Sequence, residues 1–379
     1  MPDKNRSLSV SLSRGIPAVI AVVLLLLISS FIYCMPSYVQ NPAPSTNIIQ
    51  QTPAEKIITT NFAKTTLVTP LGHKIKKGTY YTAFPNGNYH GYILAENWIS
   101  PENGKVLKAN TEVLVYDNGT PQQFTLADNW TEPSSGMIFK ADSDVLAYES
   151  GTPQKFTLAE NWKDPKNGMA FKAGTDVLVH ENGKLRQYTL AENWTEPSTG
   201  MIVKANTVVL AYQDGTGEKF ILAANWMEPD TGMVFKANTE LLIYENGTYR
   251  QFTLAKNWKD PENGTILKAG AEVLNYENGM VQKVTLASDW VNPNNGMLLK
   301  GDTEILQYEN GNFQEFTLAE NWENPKNGIV LKANSKVYFY ENGNVEQYTI
   351  ADDWGEFYAG DTIHICPDGT PEVIPQETD

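Results

Sequence analysis

The sequence predicts an all-β protein assembled from tandem units, and three observations predict it. The chain repeats with a strict 32-residue period. Each repeat carries a hairpin signal at one fixed place, and the runs around that signal are rich in Val, Ile, Leu, Phe, Tyr and Thr. All nine tryptophans keep the register without insertion: Trp98, Trp130, Trp162, Trp194, Trp226, Trp258, Trp290, Trp322 and Trp354. Pro101 recurs down to Pro325, Gly104 down to Gly328 and Lys108 down to Lys332. Gly72, Lys76 and Gly87 extend the pattern before the first Trp. "FYAGDTIHICPDG" (Phe357 to Gly369) extends it past the last, with the connector after Trp shortened by six residues. This gives ten units between about Gly72 and Ile374.

Within one repeat, Gly232 to Trp258, three runs favour strand: Met233–Lys236, Glu240–Tyr244 and Arg250–Ala255. Glu-Asn-Gly separates the second from the third, and Asn-Gly between apolar runs is the strongest short hairpin signal because a type I′ turn needs positive φ at both central residues. All ten units have Gly at this apex, from Gly87 and Gly119 to Gly343 and Gly369. "KANT", "KAGT" and "KADS" mark a second tight turn, so each unit reads as a three-stranded antiparallel meander. Runs such as "VLVY" (Val113 to Tyr116) are apolar on both faces, and such a sheet requires cover on both. The expected architecture is therefore a stack of small sheets, face to face, forming an open superhelical array. The connector containing Trp, Pro and Gly would carry the chain back to begin the next sheet. The alternative is a closed ring like a β-propeller, whose blades usually hold four strands and ~40–45 residues.

The N-terminal region differs in kind. Residues 1–15 form a basic tail carrying Lys4, Arg6 and Arg14. Residues 16–35 hold no charge, and as a helix would span ~30 Å, one bilayer core. The charge asymmetry places the N-terminus in the cytoplasm and the repeats outside, in a periplasm or at a cell surface. A cleaved signal peptide, leaving a secreted protein, is the alternative. Residues 36–71, with Pro36, Pro42, Pro44, Pro53 and Pro70 among polar residues, read as a tether. The β-repeat domain follows at 72–375, and 376–379 is a short tail. The net charge is −15, and residues 1–71 are net positive by three, so the repeats carry the acidity. That argues against nucleic acid as a partner. Cys34 and Cys366 fall in different parts and build no disulfide framework.

The hairpin sequences "YDNGTPQQF" (Tyr116 to Phe124) and "HENGKLRQY" (His180 to Tyr188) carry a resemblance. They resemble the Tyr-x-Asn-Gly hairpins of bacterial MORN-variant repeat proteins. The periodic Trp and long connector resemble WG-like β-repeats. MORN repeats are shorter, and WG repeats place Trp directly before Gly, which happens here only at Trp354-Gly355. The resemblance covers most of residues 72–374 at the level of the hairpin. It implies a binding or scaffolding array and no particular functional residues.

Two columns are candidates for function. The nine tryptophans could form a row of ligand-stacking platforms suited to a glycan, or could cover the seams between units. The nine lysines from Lys76 to Lys332 mostly have an acid four residues on, such as Glu112, Asp144, Asp176 or Glu240, which predicts charge-balanced hairpins. Val208 and Lys336 break that pairing and leave Lys204 and Lys332 as the expected unpaired bases. Glu160 and Asp164 could hold Ca²⁺, but Lys256, Ala224 and Ser100 occupy matching places in other repeats, which argues against a repeated metal site. No nucleophile–base or metal-ligand spacing stands out, so neither catalysis nor a cofactor is predicted. The expected function is a membrane-anchored, extracytoplasmic, multivalent binding scaffold for a protein or glycan. A purely structural stalk and a cell-envelope enzyme are the alternatives.

Overall fold

A computed structural model describes residues 58–374. The expected anchor at 16–35 and most of the tether lie outside the described residues. Among the described residues every element is a strand, and no helix is long and apolar enough to cross a membrane. They divide into two compact bodies, 58–130 with 141–152, and 131–140 with 153–374.

Each body contains an antiparallel ladder whose strands pair in chain order. In the first body, Thr59–Phe62 pairs with Tyr80–Ala83, then Tyr89–Ile93, Glu112–Val115, Pro121–Thr125 and Asp144–Ala147 follow. The ladder thus begins inside the stretch read as tether, and Leu67–Val68 pairs with Lys74–Ile75 beside it. In the second body the ladder runs from Pro153–Thr157 through Asp176–Val179 and Leu185–Thr189 to Thr362–Ile365 and Pro371–Val373. The sheet is not closed into a barrel.

Tandem hairpins in an antiparallel sheet are as expected, but the three-stranded stacked unit is not. Only the second and third runs of each repeat enter the ladder, for example Glu240–Ile243 and Tyr249–Thr253. The first run, Val234–Phe235, pairs instead with Trp226–Met227 in a side hairpin. The connector is the turn of that side hairpin: Glu228 N–H donates to Met233 O at 2.8 Å, and Gly232 N–H to Glu228 O at 2.9 Å. With two ladder strands per repeat, each repeat begins in the same direction and no crossover is required. Tyr249–Thr253 then pairs directly with Glu272–Asn275 of the next repeat, so repeats join edge to edge.

Burial explains why edge-to-edge growth suffices. In Glu240–Ile243, Leu241 and Ile243 are fully buried and Leu242 is half-buried. Leu242 lies between Lys219 on one neighbouring strand and Gln251 on the other. Leu210 lies likewise between Gln187 and Lys219. The aliphatic stems of such long polar side chains cover a leucine while their heads stay in water. The second face is therefore shielded by its own neighbours and does not require another sheet.

The core lies between the inner ladder face and the side hairpins. Its hub is a leucine column unremarked in the sequence, including Leu158, Leu190, Leu254 and Leu318, each 0–1% exposed. Leu254 bridges Phe235 of the side hairpin, while its own N–H and C=O bond to Ala271 and Gly270 in the next repeat's turn. One residue therefore joins the side hairpin, the ladder and the following repeat.

Candidate functional site

The tryptophan column is built into the joints between repeats. The Trp226 indole N–H donates to the Thr199 carbonyl in the preceding connector at 3.1 Å. Trp130, Trp194, Trp258, Trp290 and Trp322 do the same to Asn103, Asn167, Thr231, Asn263 and Asn295 at 2.9–3.3 Å. Trp194 and Trp226 are 7% exposed, and the other seven rings are half-buried. The residue after each Trp is exposed and chemically varied, as at Ile99, Lys163, Met227, Val291 and Glu323.

The lysine column has a partner different from the one expected. Lys204 has no acidic partner among the described residues, and its ammonium donates instead to the neutral Asn238 Oδ1 at 2.7 Å, one repeat further on. Lys76, Lys172 and Lys300 reach Asn110, Asn206 and Asn334 in the same way, and Lys108 and Lys268 reach Asp142 and Asp302. Those acceptors occupy the left-handed position of the "KAN" turn, with φ of 58–62°. For Lys332 the matching turn residue is Gly360, which has no side chain to accept, and Lys332 is exposed. The acids four residues on pair across the ladder instead: Asp176 with Lys155 at 2.7 Å and Glu240 with Lys219 at 2.6 Å.

The Tyr-x-Asn-Gly apices also link successive repeats. Tyr244 O–H donates to Asn275 O at 3.0 Å, and Asn246 Nδ2 to Glu277 O at 2.8 Å. His180, which takes the tyrosine place, keeps the contact through Nε2 and Ala211 O at 3.0 Å. The acidic column two residues after Trp caps the connector turn. Asp164, considered above for Ca²⁺, accepts from Lys166 N–H at 2.9 Å, and Glu196 is 1% exposed while accepting from Ser198 and Thr199. No group of three or more His, Cys, Asp or Glu among the described residues is arranged to hold a metal ion.

One junction differs. At the C-terminal end of the second body, a groove of about 920 Å³ opens between the side hairpin and the last ladder hairpins. Trp322, Trp354, Tyr340 and Tyr348 line it with Asn324, Asn342 and Asn344. The free Cys366 also lines it, and its thiol is pushed up by partial burial and by Glu372 and Asp368, so it is a protonated thiol at neutral pH. The sequence offered one signal for this groove, the shortened connector after Trp354.

No protein-family model matches this chain, and no curated protein matches it. Solved structures with some likeness include the TcdB2-TccC3-TEV crystal structure, at 9% identity and a TM-score of 0.13 over 81% of this chain. A Photorhabdus luminescens Tc holotoxin pore is similar at 12% identity and a TM-score of 0.13. This chain spans 18% and 16% of the length of those two chains, and similarity at that level carries no argument about fold or function.

Proposed function

We propose that this chain is a membrane-anchored, extracytoplasmic β-scaffold, held by residues 16–35, that engages a protein or glycan partner at positions repeated along the array. The observation that carries the reading is the division of labour among columns. Trp, Lys, Tyr and Asn columns bind repeat to repeat, while the position after each Trp stays exposed and varied, with Ile99, Met227 and Val291 at 64%, 60% and 54%. Evenly repeated exposed sites gain avidity through multivalency. The half-buried tryptophan rings remain partly accessible to a ligand, whereas Trp194 and Trp226 are buried.

The engagement of the indole N–H groups favours a second reading, a stalk in which repeat number alone matters. In-frame deletion of residues 195–258, two repeat lengths, separates the two. Capture of envelope proteins and binding to a glycan array would both be measured. A steep loss of avidity supports the scaffold, and unchanged cellular function with no binding in either assay supports the stalk.

A further inference from the structure

We propose that the C-terminal groove binds a neutral oligosaccharide, one chain of sugar per molecule. The proposal gives a ligand class to the glycan arm of the scaffold reading, but it needs only one groove and not the array.

The groove is a joint left incomplete. In the interior, the space bounded by Tyr188, Trp194, Met201 and Phe220 is nearly filled, with about 20 Å³ remaining. Met201 comes from the connector turn and is 1% exposed. Ile329 is the last member of that column, because the connector after Trp354 lacks the six residues that would supply the next. Among the described residues, the volume that a connector fills elsewhere is open here. At about 920 Å³ it lies at the upper end of the range for ligand sites, ~300–1,000 Å³.

Groups facing that volume have counterparts that pair in most other repeats, although the indole N–H groups of Trp98 and Trp162 also have no acceptor among the described residues. Trp322 N–H donates to Asn295 O at 3.0 Å, but Trp354 stacks on Phe357 at 5.7 Å, and its N–H has no acceptor among the described residues. Asn310 and Asn312 both donate to Glu341 O, at 2.8 and 2.9 Å. Their counterparts Asn342 and Asn344 are exposed, and their side-chain amide donors have no acceptor among the described residues.

The chemistry of the lining selects the ligand. A sugar ring presents an apolar C–H face and a rim of hydroxyls that both donate and accept. Aromatic rings match the face, and amide groups match the rim. Among the described residues, Glu341 is the only charged side chain lining the groove and no Lys, Arg or His lines it, so phosphates and acidic sugars have no counter-charge there. Pro367 and Pro371 lack N–H groups on the hairpin that faces the groove, which disfavours addition of a peptide strand there.

The test uses the full chain in a detergent without a sugar headgroup. Chitotetraose, cellotetraose, maltotetraose and laminaritetraose would be titrated by calorimetry and tryptophan fluorescence, beside a tetragalacturonate. The expected result is binding of at least one neutral sugar at one site per chain. Affinity should fall at least about tenfold in Trp354→Ala, and about three- to tenfold in the exposed double variant Asn342→Ala/Asn344→Ala, which leaves the core untouched. Deleting residues 195–258 should not change this titration, even if it abolishes avidity elsewhere. Absence of binding by all four neutral sugars at about 10 mM overturns the proposal. Binding of the tetragalacturonate alone overturns it too, as does stoichiometry near one per repeat or full affinity in the Asn double variant. A dimer in solution that dissociates in that variant would assign the groove to a second copy of the chain instead.

Discussion

The same connector is closed in two ways within this molecule. After Trp194, Glu196 reaches over the turn, and one carboxylate oxygen accepts from Ser198 N–H and Oγ–H and from Thr199 N–H and Oγ1–H, at 2.6–3.0 Å. Thr199 Oγ1 in turn accepts from Met201 N–H at 3.3 Å. After Trp162, Asp164 is one methylene shorter and accepts only from Lys166 N–H, while Asn167 Oδ1 accepts from Met169 N–H at 2.9 Å. Glu132 and Glu228 follow the first solution with Ser135 and Thr231, whereas Asp260, Asn292 and Asn324 follow the second with Asn263, Asn295 and Asn327. Reach decides the partner: a long acid works with a hydroxyl three residues on, and a short side chain works with an asparagine. Both solutions aim the same carbonyl at the next indole, from Thr199 to Trp226 and from Asn167 to Trp194.

The two solutions are not equally complete. In the connector after Trp258, Asp260 Oδ2, Asn263 Nδ2 and Thr265 Oγ1 are buried without a hydrogen-bond partner. The Glu-based turn has no such atom among the described residues. Removing the glutamate is therefore the largest way to break the comparison. Glu196→Ala leaves two turn N–H groups and two hydroxyls short of an acceptor and should cost about 3 kcal/mol of unfolding free energy. Asn292→Ala removes one acceptor and should cost about 1 kcal/mol. Chemical denaturation of both variants checks the ratio. Equal losses would show that the carboxylate's reach has no special role.

A smaller effect sharpens the pairing itself. Asp260→Glu alone meets Asn263 rather than a hydroxyl, and Asn263→Thr alone meets an acid too short to reach it. Each single change should destabilise. Together they rebuild the Glu-based turn and remove the unpaired amide, so the double variant should be at least as stable as the parent. A double-mutant cycle should show a coupling of about 1–2 kcal/mol. Additive single effects would refute the idea that the two positions are chosen as a pair.

Much of this was legible in the letters, and the failures have physical causes. Asn-Gly at the apex marks the ladder hairpin, but only the glycine takes positive φ, as Gly247 does at 89°, whereas a type I′ turn would require it at Asn246 as well. The run Met233–Lys236 predicts a strand, and Val234–Phe235 within it is one. An apolar run states that it is buried, however, and not which strand it pairs with. The both-sided apolarity of "VLVY" misled for a related reason: Leu114 is half-buried beside Gln123 on the next strand, and a long polar stem counts as polar in a sequence pattern. The lysine column predicts pairing with acids four residues away, but six of its nine members find their acceptor in the next repeat's left-handed turn. Asn238 and Asn206 carried that signal, since a non-glycine residue at φ near 60° is most often Asn or Asp. The change from Glu with Ser or Thr to Asp or Asn with Asn was also readable, because the two positions vary together between repeats.

Acid provides the finest test of the two closures, because only one of them depends on an ionised group in every case. Burial pushes the Glu132 carboxyl upward, but hydrogen bonds from the hydroxyls and N–H groups of Ser134 and Ser135 outweigh it and hold the group below the usual glutamate range. A carboxylate whose folded pKa is lowered binds fewer protons in the native state than in the unfolded one. Its contribution is present above the ordinary glutamate pKa of ~4.3 and is lost as pH falls through the lowered folded value. The stability difference between the parent and Glu132→Gln should therefore be constant from pH 7 to about 5 and shrink toward zero in more acidic solution. Asn324→Ala, in a turn closed by amides, should show a difference that does not change across the same range. The order of the responses, and not their size, carries the test. A difference for Glu132→Gln that stays flat to pH 3 would mean the carboxylate's charge does not stabilise the turn, and that the two closures differ only in length.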